Sequence, residues 1–346
     1  MSNRNRAAQH FDGISRIIIQ DKNVPFTATS TEQKLLDRVG VVDNLRILIT
    51  GTDTITGATT RKTMGMWNLV KNLRLKVNGK TIVSVPGSLL FHITAIETGN
   101  RPLFNDVTAG ISAAFNYAMS CVLPFNGFFP FLSALDTTEN AGGVTEFLIE
   151  VDWNDSLTSC YTVASGTVVH TTGPTLTVYQ ERFAKDASDG IAYGAPGTPG
   201  YTGGKVRQLL GQNAAYTGAA NPDLRIPLTK NFRYSRLILQ TLDAGVPSDA
   251  ILTPTANVSV FQGSTEILRV LPQLLKALQF ERYNVPLAEQ STIWTGVYVL
   301  DFAKAWNETQ WWDGADFELR LNLAAASGGS VLTIVSDRYT DSPAYL

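Results

Sequence analysis

One segment of this chain of 346 residues is present twice. Leu176-Thr177-Val178-Tyr179-Gln180-Glu181-Arg182-Phe183 matches Leu332-Thr333-Ile334-Val335-Ser336-Asp337-Arg338-Tyr339, with Leu-Thr, a β-branched residue, an acid, an arginine and an aromatic at the same places. Such a repeat constrains the architecture more than any single strand, because one supersecondary arrangement must form twice. The residues before each copy keep the same order. An alternating strand is followed by a long loop, a hairpin with a turn glycine (Gly79, Gly263) and a helix led by proline (Pro86, Pro272). Then come an aromatic strand, an acid-rich loop and an alternating strand that starts at Phe147 or Phe317.

Within each half, period-two alternation marks strands with one buried face. Leu45, Ile47 and Ile49 alternate in this way, as do Leu73, Leu75 and Val77, and then Phe147, Ile149, Val151 and Trp153. Asn78-Gly79 suits the positive φ angles of a type I′ turn, so Leu73–Val83 reads as a hairpin. Alternation lapses over Ser88–Gly99 and Gln273–Phe280, which read as short helices, and a third helical run is expected near Phe131–Leu135. At roughly 150 residues per domain, two domains are expected. Gly- and Tyr-rich residues 186–223 read as a connection. The expected division is an N-terminal arm (1–40), a first sandwich (41–185), the connection (186–223) and a second sandwich (224–346). About eight short strands and few helices per half fit an all-β fold of two tandem eight-stranded jelly rolls. Immunoglobulin-like sandwiches lack the intervening helices, and a parallel α/β sheet needs more of them.

Charge and motifs exclude several functions. Twenty-eight basic and 30 acidic residues leave a net charge of −2, too little positive charge to coat nucleic acid. Charged residues make up only 17% of the chain, below the roughly 25% usual in soluble domains, as in a subunit surrounded by neighbours. The apolar run Ile17–Ile19 is too short for a signal-peptide core. Val122–Leu135 is interrupted by Pro124, Asn126, Gly127 and Pro130, so neither export nor a membrane span is expected. His10, His92 and His170 are scattered, and Cys121 and Cys160 form no CxxC pair, so no metal site is expected and both thiols are expected free. Asp136, Glu139, Asp152 and Asp155 carry the hard oxygens calcium prefers, but solvated loop acids explain them. No GxSxG or phosphate-loop motif occurs, so neither catalytic residues nor cofactors are assigned.

Three segments carry a resemblance. They are Cys121-Val122-Leu123-Pro124-Phe125, a strand running into Leu-Pro-Phe; Phe131-Leu132-Ser133-Ala134-Leu135; and the alternating strand Thr145–Trp153. The layout returns weakly at Val297–Trp306 and Phe317–Leu321. In order of elements, residues 40–346 resemble the double jelly-roll major capsid proteins of tailless, icosahedral bacteriophages with an internal membrane. The resemblance implies a non-enzymatic structural subunit whose homotrimers form pseudo-hexameric capsomers. It also implies penton and minor capsid proteins as partners, location in the virion after synthesis in the host cytoplasm, and no direct contact with nucleic acid. The N-terminal arm would then lie beside the membrane, with Arg4, Arg6 and Arg16 near anionic headgroups.

Phe128, Phe129 and Phe131, together with Trp311-Trp312, are the candidate subunit contacts, because aromatic anchors are enriched in interface cores. Packing inside each sandwich accounts for them equally well. Adjacent tryptophans also stack on sugars, which leaves a two-domain β-sandwich carbohydrate-binding or glycan-acting protein as the alternative reading.

Overall fold

Asn78 and Gly79 both adopt positive φ, 50° and 75°, the type I′ geometry whose twist matches that of the strands it joins. The hairpin so formed is one piece of a pattern that the chain builds twice. The computed structural model describes residues 16–38, 41–62, 64–99, 102, 113–125, 135–136, 145–154, 159–183, 206–214, 216–229, 232–285, 292–302, 312–313 and 317–340. The chain forms two compact units, Met1–Arg207 with Asp341–Leu346, and Gln208–Thr340.

The first unit contains β1 (Arg16–Pro25), β2 (Thr31–Leu35), β3 (Val41–Thr56), β4 (Thr59–Arg61), β5 (Val70–Val77), β6 (Lys80–Val85), β7 (Ala113–Pro124), β8 (Leu135–Asp136), β9 (Phe147–Trp153), β10 (Tyr161–Val163) and β11 (Thr167–Phe183). Helix α1 (Gly87–Thr98) joins β6 to β7, and a 3-10 helix at Gly65–Leu69 precedes β5. One sheet has the order β1-β11-β3-β7 and the other includes β6-β5-β9-β2. With the eight main strands lettered B to I along the chain, these are the sheets B-I-D-G and C-H-E-F of a jelly roll.

The second sandwich repeats this order. Its elements are β12 (Val206–Ala214), β13 (Asn221–Pro227), β14 (Arg233–Asp243), β15 (Val246–Pro247), β16 (Val258–Gln262), β17 (Thr265–Val270), α2 (Pro272–Tyr283), β18 (Val297–Asp301), β19 (Trp312–Asp313), β20 (Phe317–Leu323) and β21 (Val331–Thr340). Here β12-β21-β14-β18 are B-I-D-G, and β13-β20-β16-β17 are C-H-E-F. Both helices lie between F and G. Even the short strand after G recurs, β8 pairing with β3 and β19 with β14. The fold is therefore all-β, two tandem jelly rolls.

The matching segments Leu176–Phe183 and Leu332–Tyr339 lie in β11 and β21, the two I strands. The alternating sets point inward as read: Leu45, Ile47, Ile49, Leu73, Leu75, Val77, Phe147, Ile149, Val151 and Trp153 are all buried. In the second unit Leu237, Leu239, Val260, Leu319, Leu321, Leu332 and Ile334 fill the core.

Strand pairing divides the chain differently from the sequence expectation. Residues 1–40, read as an arm, contain strands B and C: β1 pairs with β11 from Arg16↔Phe183 to Pro25↔Thr175, and β2 pairs with β9. The segment 186–223, read as a connection, contains β12 and the start of β13. These strands escaped notice because Ile17-Ile18-Ile19 does not alternate and β1 shifts register between Gln20 and Lys22. The helix expected near Phe131–Leu135 falls at 131–134 outside the described residues, and Leu135–Asp136 is strand. The other helices run one residue earlier than read, at Gly87 and Pro272, and α2 continues to Tyr283.

The start of α1 is tightly enclosed. A Cβ on Gly87 would lie 2.2 Å from the Val70 carbonyl oxygen and 2.4 Å from that of Trp67. Both obstacles are backbone, so Gly87→Ala is expected to cost about 1–3 kcal/mol, read as a lower urea midpoint at unchanged m-value.

Candidate functional site

Alternation places charge on the outward faces of the sheets, and there it is paired across strands rather than scattered. On C-H-E-F of the first unit, Glu150 of β9 accepts hydrogen bonds from Gln33 Nε2 (2.6 Å), Lys76 Nζ (2.7 Å) and Arg74 Nε. Arg74 also donates to Asp152 (2.6 Å), which accepts from Thr31 Oγ1 (2.6 Å). Burial works to raise the Glu150 pKa, but the bonds from Lys76 and Arg74 outweigh it and hold the carboxyl below its usual range. In the second unit Arg320 pairs with Glu318 and lies over the ring of Phe261, 3.8 Å from its centroid.

The repeated acid of strand I meets an arginine of strand D in each unit, though from different register positions: Arg46 lies opposite Tyr179, while Arg236 lies opposite Asp337 itself. Arg46 of β3 pairs with Glu181 at 2.9 Å, and Arg236 of β14 approaches Asp337 at 3.6 Å. The environments differ sharply, since the Arg46 side chain is 48% exposed and that of Arg236 is 2% exposed. Arg236 also faces Asp301 at 3.5 Å, whose carboxylate accepts a hydrogen bond from the Tyr283 hydroxyl. Burial drives the Tyr283 pKa well above its ordinary value, keeping that phenol a donor.

Two further clusters involve titratable groups. Asp53, fully buried, accepts from Tyr161 (3.4 Å) and faces His170 Nδ1 at 2.6 Å. Asp249 receives the Gly296 N–H (2.7 Å), the Tyr298 hydroxyl (3.0 Å) and the Lys276 ammonium (2.8 Å), tying α2 to the loop before β16 and to the start of β18. Burial lowers the Lys276 pKa against the pull of Asp249. These contacts are internal ties, and no group of three or more His, Cys, Asp or Glu side chains among the described residues is arranged to hold a metal. Asp152 is engaged by Thr31 and Arg74, whereas Glu139, Asp155 and the side chain of Asp136 lie outside the described residues. Cys121 and Cys160 are buried free thiols. His92 is buried in α1, with Nδ1 3.1 Å from the Ser88 carbonyl. Among the described residues no helix is long and apolar enough to cross a membrane.

Among the described residues, exposed apolar side chains are a further candidate for function. Ile18, Ile19 and Leu35 are exposed on β1 and β2, Val163 and Val169 on β10 and β11, and Val246, Leu271, Leu274 and Phe280 on the second unit. Sequence reasoning missed all of these. A signal was present in α2, whose Leu274 and Phe280, with Leu271 just before it, lie off the stripe formed by its buried Pro272, Leu275, Gln279 and Tyr283. Of the expected contact residues, Phe128, Phe129, Phe131 and Trp311 lie outside the described residues, as do Arg4 and Arg6. Trp312 is in β19 opposite Tyr234 and Arg16 begins β1, but their side chains lie outside the described residues.

No family model matches the chain and no curated protein matches it in sequence. Solved structures do match. The STIV major capsid protein is 14% identical, with a TM-score of 0.71 over 94% of this chain and 97% of its own. A chain in the atomic structure of Sulfolobus Turreted Icosahedral Virus is 16% identical, with a TM-score of 0.70 over 94% of this chain and 91% of its own. The major capsid protein of bacteriophage PM2 is 12% identical, with a TM-score of 0.54 over 94% of this chain and 97% of its own. At these identities the likeness establishes a shared fold across both jelly rolls.

Two stability predictions follow from the charge clusters. Arg236→Met removes a buried cation that faces both Asp301 and Asp337 and is expected to cost about 3–5 kcal/mol. Arg46→Met, which removes the arginine that meets the strand I acid of the other unit, is expected to cost at most about 1 kcal/mol because water screens that pair. Urea titration of both variants compares them. For Glu150, a folded pKa depressed below the unfolded value of about 4.3 means its contribution is present above that pH. It is lost as pH falls through the folded pKa, so urea midpoints between pH 6 and pH 3 should fall less steeply in Glu150→Gln than in the unaltered protein.

Proposed function

We propose that the chain is a major capsid protein, a structural subunit whose homotrimers form pseudo-hexameric capsomers tiling an icosahedral viral shell. The observation that carries this reading is the duplication: strand order B-I-D-G with C-H-E-F, and a helix between F and G, occurs twice in one chain. Structures with that fold over nearly the whole chain are major capsid proteins. Three chains of two like sandwiches give a six-lobed block, which can tile a facet while each chain needs only threefold contacts. The low charge content and balanced sign favour a subunit packed among copies of itself over one that binds a genome.

In this reading the chain performs no catalysis and resides in the virion after synthesis in the host cytoplasm. Penton and minor capsid proteins complete the shell. An internal membrane lies beneath it, and in this proposal Arg4, Arg6 and Arg16 meet its anionic headgroups. Phe128, Phe129, Phe131, Trp311 and Trp312 are proposed subunit contacts.

Light scattering after size exclusion should give a mass three times that of one chain at micromolar concentration, and negative stain should show six-lobed particles. A monomer under those conditions would remove the basis of the capsid reading.

A further inference from the structure

The two F strands and the helices after them correspond residue by residue. In the first unit β6 ends at Val85 and α1 spans Gly87–Thr98; in the second β17 ends at Val270 and α2 spans Pro272–Tyr283. The two helices are equal in length and follow the strand at equal spacing. Leu274 therefore occupies the place of Leu89, Phe280 that of Ala95, and Leu271 that of Pro86. Leu89 is fully buried and Ala95 is 5% exposed, but Leu274 and Phe280 are each 49% exposed. The strands show the same contrast, for Ile82, Val83 and Val85 are buried while Ile267, Leu268 and Val270 are only partly so.

The B strands show the reverse asymmetry. On β12, Gln208 and Leu209 are buried. On β1, Ile18 is 58% and Ile19 40% exposed. Successive residues of a strand face opposite sides of its sheet, so both sides of this edge are bare. One element of each jelly roll is thus apolar and exposed where its counterpart is buried. The two bare elements are of different kinds, strand B of the first unit and the F strand with its helix in the second.

A contact between identical chains that uses two different patches is heterologous, each copy offering one patch to the next, and it closes into a ring when the rotation permits. Exposed apolar clusters of this kind mark association surfaces. We propose that Ile18 and Ile19 of one copy pack against Leu271, Leu274 and Phe280 of the next, a head-to-tail contact between copies of this chain. The inference rests on the capsid reading only in taking the partner to be another copy, and it names which surface of one meets which surface of the other.

The test uses the full chain in three forms besides the unaltered one: Ile18→Asp/Ile19→Asp, Leu274→Lys/Phe280→Lys, and all four changes in one chain. Every altered side chain is exposed, so thermal melts should coincide with that of the unaltered protein. By sedimentation, each two-residue variant should raise the dissociation constant for self-association at least tenfold. The four-residue variant should recover most of that loss, because aspartates then face lysines at every contact. Mixing the two two-residue variants should give a dimer, since each keeps the patch the other has lost. If the unaltered chain associates but the variants associate equally well, or the four-residue variant is weaker than either parent, the proposed contact is wrong and the capsid reading stands. An unaltered chain that stays monomeric overturns both.

Discussion

The closing strand of each sandwich is the constraint on which the rest depends. Strand I lies between B and D, so β11 has β1 on one side and β3 on the other, and β21 lies likewise between β12 and β14. Arg16 faces Phe183 in this pairing, and Val41 faces Phe183 across the other edge. Neither B-I-D-G sheet is complete until the last strand of its unit arrives, which makes the architecture non-local and its assembly slow relative to folds built from neighbouring hairpins. Hairpins with strong turn signals, such as β5-β6 around Asn78-Gly79, supply local order while that strand is awaited.

The repeated motif gains a physical meaning from its place on strand I. Its leucine and β-branched residue, Leu176 and Val178 or Leu332 and Ile334, are buried. Its acid, Glu181 or Asp337, reaches an arginine on strand D. Because D is the hydrogen-bonded neighbour of I, the pair fixes register: slipping either strand by one residue would turn the charges and the apolar side chains to the wrong faces. The first unit keeps this pair near water. The second buries it with Asp301 and Tyr283, where geometry counts for more and loss of one partner costs more.

Legibility in the sequence followed locality. Strands D, E and H of the first unit alternate in sequence at Leu45–Ile49, Leu73–Val77 and Phe147–Trp153, and they were found where the structure has them. Strand B was read as an arm in one half and as a connection in the other, because its partner is distant and Ile17-Ile18-Ile19 gives no period. The order of elements survived these errors, since the repeat was detected from strand I and from the E-F hairpin, which alternation and turn chemistry identify independently. The contact surface was not legible for a related reason. Aromatic clusters such as Phe128-Phe129 attract notice by composition, whereas Leu274 and Phe280 become conspicuous only when their exposure is compared with that of Leu89 and Ala95.

That comparison shows what duplication within one chain makes possible. Separate identical sandwiches would have to present the same surface at every position, so a residue suited to one environment would be imposed on all. Two sandwiches in one chain evolve apart, and these have done so at matched positions. Ala95 is small where it is enclosed, while its counterpart Phe280 is large where it is bare. The arginine that meets the strand I acid differs as well: solvated Arg46 lies opposite Tyr179, and dry Arg236 opposite Asp337 itself. The helix α1 is apolar on nearly every side, but α2 carries Gln273, Lys276, Glu281 and Arg282 among its leucines. An aromatic side chain left exposed on a helix that otherwise turned polar is selected against in a solitary protein and is explained when another surface covers it. Divergence of the two halves therefore follows the difference in what surrounds each of them, and the conserved strand order marks what both still need in order to fold.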